Sequence, residues 1–177
     1  MTIRTLNRRL LAMTLSLSAA LGVASQAHAY DVYRGVKADN GAVKWTNESF
    51  GVSGEDTPTL SFSYFASDGE AQKHEKVGAS PCILKVALEG APEKGETRNI
   101  GGNIRSNTVP TFRPSFPWTM TFDNKPEGHW SIAKETIMNV SNAMAGTVSA
   151  VAFKTLAERD NPIVTVINGT SDNCRIE

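Results

Sequence analysis

The chain is poor in the side chains from which metal sites and nucleophilic centres are built, with two cysteines and three histidines in 177 residues. CxxC, HExxH, histidines paired at helical spacing and an EF-hand loop are all missing, which removes the usual sequence signatures of zinc, dithiol and calcium sites. GxGxxG and the phosphate-loop pattern are missing too, so no nucleotide cofactor is implied, and without GxSxG there is no nucleophile elbow. Of the histidines that follow the N-terminal segment, His74 lies in a polar stretch and His129 beside a turn, and His129 is the one plausible general base for a hydrolase. The expectation is a protein that is not an enzyme and carries no cofactor or metal.

Long hydrophobic runs are limited to one. Arg4, Arg8 and Arg9 precede the apolar run Leu10 to Val23 and the small-residue pattern Ala27-His28-Ala29, the layout of a secretory signal cleaved before Tyr30. The run is short and rich in Ser and Ala, and no second stretch of about 20 apolar residues follows, so no membrane span is expected. Excess charge of one sign is absent as well. Removing residues 1–29 takes away three arginines and no acid, leaving 15 basic against 18 acidic side chains and a net charge of −3. Such a balance offers no footprint for nucleic acid or anionic lipid. The remaining 148 residues, 30–177, suffice for a single domain with its own core.

In an exported chain two cysteines most often form one disulfide, here Cys82 with Cys174. Closing a loop of about 90 residues removes roughly 4 to 5 kcal/mol of denatured-state freedom in the chain-entropy model.

Short segments of alternating polarity separated by Gly, Pro, Asn and Asp clusters predict an all-β fold, an antiparallel sandwich or barrel. Asp31 to Val36 and Ala42 to Thr46 are joined at Asp39-Asn40-Gly41, an Asn-Gly turn suited to a tight hairpin. Thr59 to Ala66 places Leu60, Phe62, Tyr64 and Ala66 on one face, and the next strand places Cys82, Leu84, Val86 and Leu88 on one face. Ser67 to Ser80 between them is polar and reads as an exposed loop. Thr97 to Ile104, interrupted by Gly101-Gly102, reads as a bulged or edge strand. Trp118 to Phe122 and His129 to Ile132 read as a hairpin. Ser131 to Ala145 fits either a helical stripe or a strand with a turn, the strand being preferred. Gly146 to Phe153 and Ile163 to Ile167, rich in Val, Ile and Thr, read as strands.

Aromatic residues supply the candidate ligand contacts. Trp45 lies in a weak early strand, and Phe112, Phe116 and Trp118 lie in or beside the proline-rich stretch Pro110 to Pro117, where three prolines favour an extended, edge-like course. Over residues 80–177, the strand-opening Cys82, the run Phe116-Pro117-Trp118-Thr119-Met120-Thr121, the Thr/Val/Ala-rich segments after it and the closing Asn173-Cys174-Arg175-Ile176 resemble small exported bacterial proteins of the alkane-oxidation-activator family. The resemblance implies a secreted, surface-associated, non-enzymatic β protein connected with biofilm or contact with hydrophobic substrates, and transfers no functional residue. The expectation is an exported protein of the cell surface, medium or periplasm with a structural or adhesive role, meeting matrix components or its own copies. The alternatives are a small-ligand or carbohydrate-binding module and a periplasmic inhibitor or immunity protein.

Overall fold

A computed structural model describes residues 29–53, 59–104, 116–133, 141–160 and 162–177. Nine strands and three helices are described: β1 (Ala29–Val36), β2 (Ala38–Asp39), β3 (Ala42–Val43), α1 (Asn47–Phe50), β4 (Thr59–Tyr64), α2 (Asp68–Lys73), β5 (Cys82–Glu89), β6 (Thr97–Ile104), β7 (Phe116–Phe122), β8 (His129–Ala133), α3 (Asn142–Ala157) and β9 (Val164–Asn168). Seven strands form one curled antiparallel sheet, a half-barrel, in the order β6-β7-β8-β4-β1-β5-β9.

Alternation decides which face each strand buries. Val32, Leu60, Phe62, Leu84, Val86, Trp130, Ile132 and Met120 point inward and make the main core with α3. The predicted faces of β4 and β5 are thus observed, as is the β7–β8 hairpin, with Phe122 opposite Trp130. β6 is an edge strand whose register shifts between Asn99 and Asn103, as its two glycines foretold. The Asn40-Gly41 turn has positive φ at both residues, 49° and 81°. It joins only the two-residue strands β2 and β3, however, while β1 lies between β4 and β5 in the large sheet.

Three expectations are corrected. The expected antiparallel β architecture is present as one curled half-barrel sheet, but the fold is not all-β, because that sheet packs against a helix, and Gly146 to Phe153, read as a strand, belongs to that helix, α3. The β-branched and hydroxyl residues that suggested a strand are accommodated by back-bonding. Thr147, Ser149 and Thr155 each donate to the carbonyl four residues earlier, at 2.8 to 3.0 Å. Small residues on one side, among them Ala145, Gly146 and Ala150, let the helix approach closely, and Phe153 reaches Phe62 of the sheet with ring centroids 5.3 Å apart. Ser141 caps the helix by accepting from the Met144 N–H. The Ser67 to Ser80 stretch likewise contains α2, whose Ser67 hydroxyl accepts from the Glu70 N–H while the Glu70 carboxylate accepts from the Ala66 N–H. Ala71 and Val77 of this stretch are buried with Tyr33 and Ile83 against the outer face of the sheet.

The Cys82–Cys174 disulfide is present, with Cα atoms 5.8 Å apart and a sequence separation of 92. It holds the C-terminal tail at the start of β5, where the Arg175 N–H donates to Gly41 O and Arg175 O accepts from the Val43 N–H.

Candidate functional site

At one end of the half-barrel the inward face carries an aromatic wall built from adjacent strands. Tyr30 is the second residue of β1 and Tyr64 ends β4; because Val32 is paired with Tyr64, Tyr30 is the diagonal neighbour of Tyr64 on the same face. Their rings stack with centroids 4.1 Å apart and planes 10° from parallel. Trp130 of β8 follows, 6.0 Å from Tyr30 and tilted to it, and Phe122 of β7 lies 5.2 Å from Trp130. The Arg98 guanidinium of β6 stands 5.8 Å over the Trp130 ring. The wall grades from solvent to core: Tyr64 is 37% exposed and Trp130 is 0% exposed.

Its polar atoms are unevenly matched. Arg98 makes a two-pronged ion pair with Glu96, at 2.9 and 3.2 Å, and donates to the carbonyls of Gly90 and Ala91. The Glu96 carboxyl is held below its ordinary range by the Arg98 hydrogen bond and by the Glu93 N–H. Burial raises the Tyr30 hydroxyl above the usual phenol value, against an opposing pull from the Trp130 indole N–H and Arg98. The Trp130 indole N–H is fully buried and meets no acceptor in hydrogen-bond geometry among the described residues. A buried donor left unpaired costs about 1 to 3 kcal/mol, so an acceptor brought to it would be stabilising.

The outer face carries two polar groupings. In one, Lys85 Nζ lies 2.8 Å from Asp31 Oδ2 and 3.0 Å from Asp68 Oδ1, and the Tyr33 hydroxyl donates to Asp68 at 2.8 Å. Burial alone would raise the Asp68 carboxyl, but the hydrogen bonds from Lys85 and Tyr33 outweigh it and hold it low. Burial would lower the Lys85 ammonium, and Asp31 and Asp68 outweigh that and raise it. Tyr33 is pushed far above the phenol range by burial and by the neighbouring Asp68. These contacts fasten the first turn of α2 to β1 and β5.

In the other grouping Asp123 accepts from His129 Nδ1 at 2.6 Å, from the Ser131 hydroxyl at 3.1 Å and from the Lys125 N–H at 3.2 Å. Ser131 thus spends its hydroxyl on the carboxylate and not on the imidazole, so the three residues do not form a Ser-His-Asp relay. Among the described residues no three His, Cys, Asp or Glu side chains converge as a metal site. His74 is a turn cap, its Nδ1 accepting from the N–H groups of Lys76 and Val77.

Of the aromatic residues singled out in the sequence, Trp45 is half-buried and stacks on Phe50 at 5.6 Å, with its indole N–H also buried without an acceptor. Phe116 and Trp118 occupy strand positions in β7, and Phe112 lies outside the described residues. Sequence reasoning missed Tyr30 and Arg98 and placed Tyr64 only on one face of a strand. The available signal was an aromatic residue at the end of an apolar face in each of two strands, which becomes a site only when the strands are neighbours. Comparison with protein-family models, with curated proteins and with solved structures finds no match.

Proposed function

We propose that the protein is an exported, non-enzymatic binding module that holds a small ring-bearing ligand at the aromatic end of its half-barrel. The observation that carries this reading is the wall of Tyr64, Tyr30, Trp130 and Phe122 from adjacent strands, open at Tyr64 and closed at Trp130. Aromatic-lined concavities with a few polar groups are the usual form of small-molecule sites. Two findings are compatible with export: the disulfide, a bond that persists in oxidising compartments, and the lack, among the described residues, of a helix long and apolar enough to cross a membrane. The test is titration of the exported chain with a panel of glycans and lipids, followed by tryptophan fluorescence. Tyr64→Ala is expected to weaken whichever ligand binds by roughly tenfold, equivalent to about 1.4 kcal/mol. A flat response across the panel overturns the reading.

A second reading, structural or adhesive self-association, has its own support in β9. The Ala87 N–H bonds Ile163 O, so the β5–β9 ladder bonds fall at Ile163, Thr165 and Ile167, while the N–H and C=O groups of Val164 and Val166 face away from β5. Among the described residues no strand pairs with that edge. Val164 to Asn168 holds no charge and no proline, the devices that normally blunt an edge. Val166→Pro removes one outward donor without touching the β5 ladder. Sedimentation should show the wild type associating as concentration rises and the variant remaining monomeric, and a wild type that stays monomeric throughout removes this reading.

A further inference from the structure

We infer that the Ala29–Tyr30 bond is a processing site which only the unfolded chain presents, so that an export peptidase cuts it before β1 enters the sheet and the chain crosses the membrane unfolded. This inference rests on the export reading above and adds the order of events and the state in which the chain travels. Two small residues, Ala27 and Ala29, precede the bond in the spacing that a leader peptidase reads, and Tyr30 follows it. In the fold that bond lies inside a strand. β1 starts at Ala29 and runs between β4 and β5, and its register places Ala29 opposite Glu89 and Tyr30 opposite Leu88. On β5 the Ala87 N–H is spent on Ile163 O at the β9 side, so Val86 and Leu88 turn their backbone groups toward β1. The scissile nitrogen, that of Tyr30, therefore faces Leu88 in the ladder. The Tyr30 ring is fixed as well, stacked on Tyr64 at 4.1 Å. A peptidase that takes its substrate as an extended strand needs those same backbone groups, and β5 already holds them. A chain carried across in its folded form needs its cleavage point on exposed backbone outside the sheet, and here the point falls within a strand enclosed on both sides. Chain order supplies the interval for cutting. β1 emerges first, and both of its neighbours, β4 and β5, follow it in sequence. Cys174 comes later still, so the disulfide closes on a chain already cut.

The experiment uses the full chain of 177 residues in two states, one refolded with its disulfide formed and one reduced and unfolded in urea. The unfolded chain is diluted directly into a detergent-solubilised bacterial leader peptidase, and the refolded chain meets the same peptidase at the same final urea concentration. Intact mass and N-terminal sequencing follow the product with time. The expected result is that the diluted chain yields Tyr30 as its new N-terminus, while the refolded chain is cut at that bond slower by about a hundredfold or more, since cleavage there waits on opening of the strand. Val86→Pro removes a donor that faces β1 and leaves the leader and the scissile bond unchanged, so the refolded variant should be cut about as fast as the diluted chain. A variant as resistant as the wild type assigns the protection elsewhere and overturns the proposal. Equal cutting of the refolded and the diluted wild type at Ala29–Tyr30 overturns the sequestration while leaving the export reading standing. No cutting of either, or cutting only at another bond, overturns both.

Discussion

Arg34 shows what one side chain can do in the core. It stands on β1 at an inward position, with its guanidinium over Phe62, and donates to the carbonyls of Ser49 at 2.9 Å, Ser61 at 2.7 Å and Gly51 at 3.2 Å. Burial lowers it to about 10, so it stays charged across the neutral range. Three backbone carbonyls from α1, the residue after it and β4 thereby share one planar donor. Arg34→Leu is expected to destabilise the fold by about 2 to 4 kcal/mol, because it strands those carbonyls. Arg34→Lys should recover only part of the loss, since an ammonium cannot match the fork. Chemical denaturation of the three proteins measures the difference. Asp68 sets a pH dependence at the same scale. Its folded carboxyl lies below the ordinary aspartate value of about 4. The unfolded chain thus binds more protons in that interval, and the stabilisation is present above about pH 4 and lost as pH falls through the folded value. Asp68→Asn should flatten the acid limb of the stability curve by up to about 1 kcal/mol, a modest amount because the carboxylate is 46% exposed.

Among the elements, α3 turns on spacing and not on propensity. Gly146 lies inside it, where a glycine ordinarily costs about 1 kcal/mol relative to alanine. A Cβ built there meets Asn47 Cβ at 3.0 Å and Phe50 O at 3.1 Å, so the glycine is the point at which α3 and α1 touch. Gly146→Ala is expected to lower the melting temperature, with the close contact costing about 1 to 3 kcal/mol and outweighing the gain in helix propensity. A rise in melting temperature would mean that α1 yields. For α2 the sequence held the necessary mark in Ser67-x-x-Glu70, the capping box ahead of a helix. Its polar composition concealed the single buried residue, Ala71, on which it sits.

At the scale of the whole molecule, the disulfide closes the C-terminal tail onto the start of a strand that pairs with both β1 and β9. Cys82 is fully buried, so the clean probe is the double change Cys82→Ala with Cys174→Ala, which adds no hydroxyl to the core. Its expected cost is about 4 kcal/mol in urea unfolding, from the restored freedom of a long denatured loop. If the cost falls below about 1 kcal/mol, the tail contacts of Arg175 with Gly41 and Val43 are holding the C-terminus without help.

Strand faces, the Asn40-Gly41 turn, the bulged edge of β6 and the pairing of the two cysteines were legible in sequence because each depends on near neighbours or on simple counting. Alternation of period two assigns a face to Phe62 or Leu84 whichever strand lies alongside. Tertiary structure alone decided that residues 142–157 are a helix, since Thr147, Val151 and Thr155 are β-formers held in a helix only once its opposite side packs on the sheet, with the two threonine hydroxyls back-bonded. It also decided the site. Tyr30, Tyr64 and Trp130 lie 34 and 66 residues apart in succession, and only the strand order β8-β4-β1 makes them one wall. Strand order is set by which apolar faces close one core, a property of the whole chain that no local window contains.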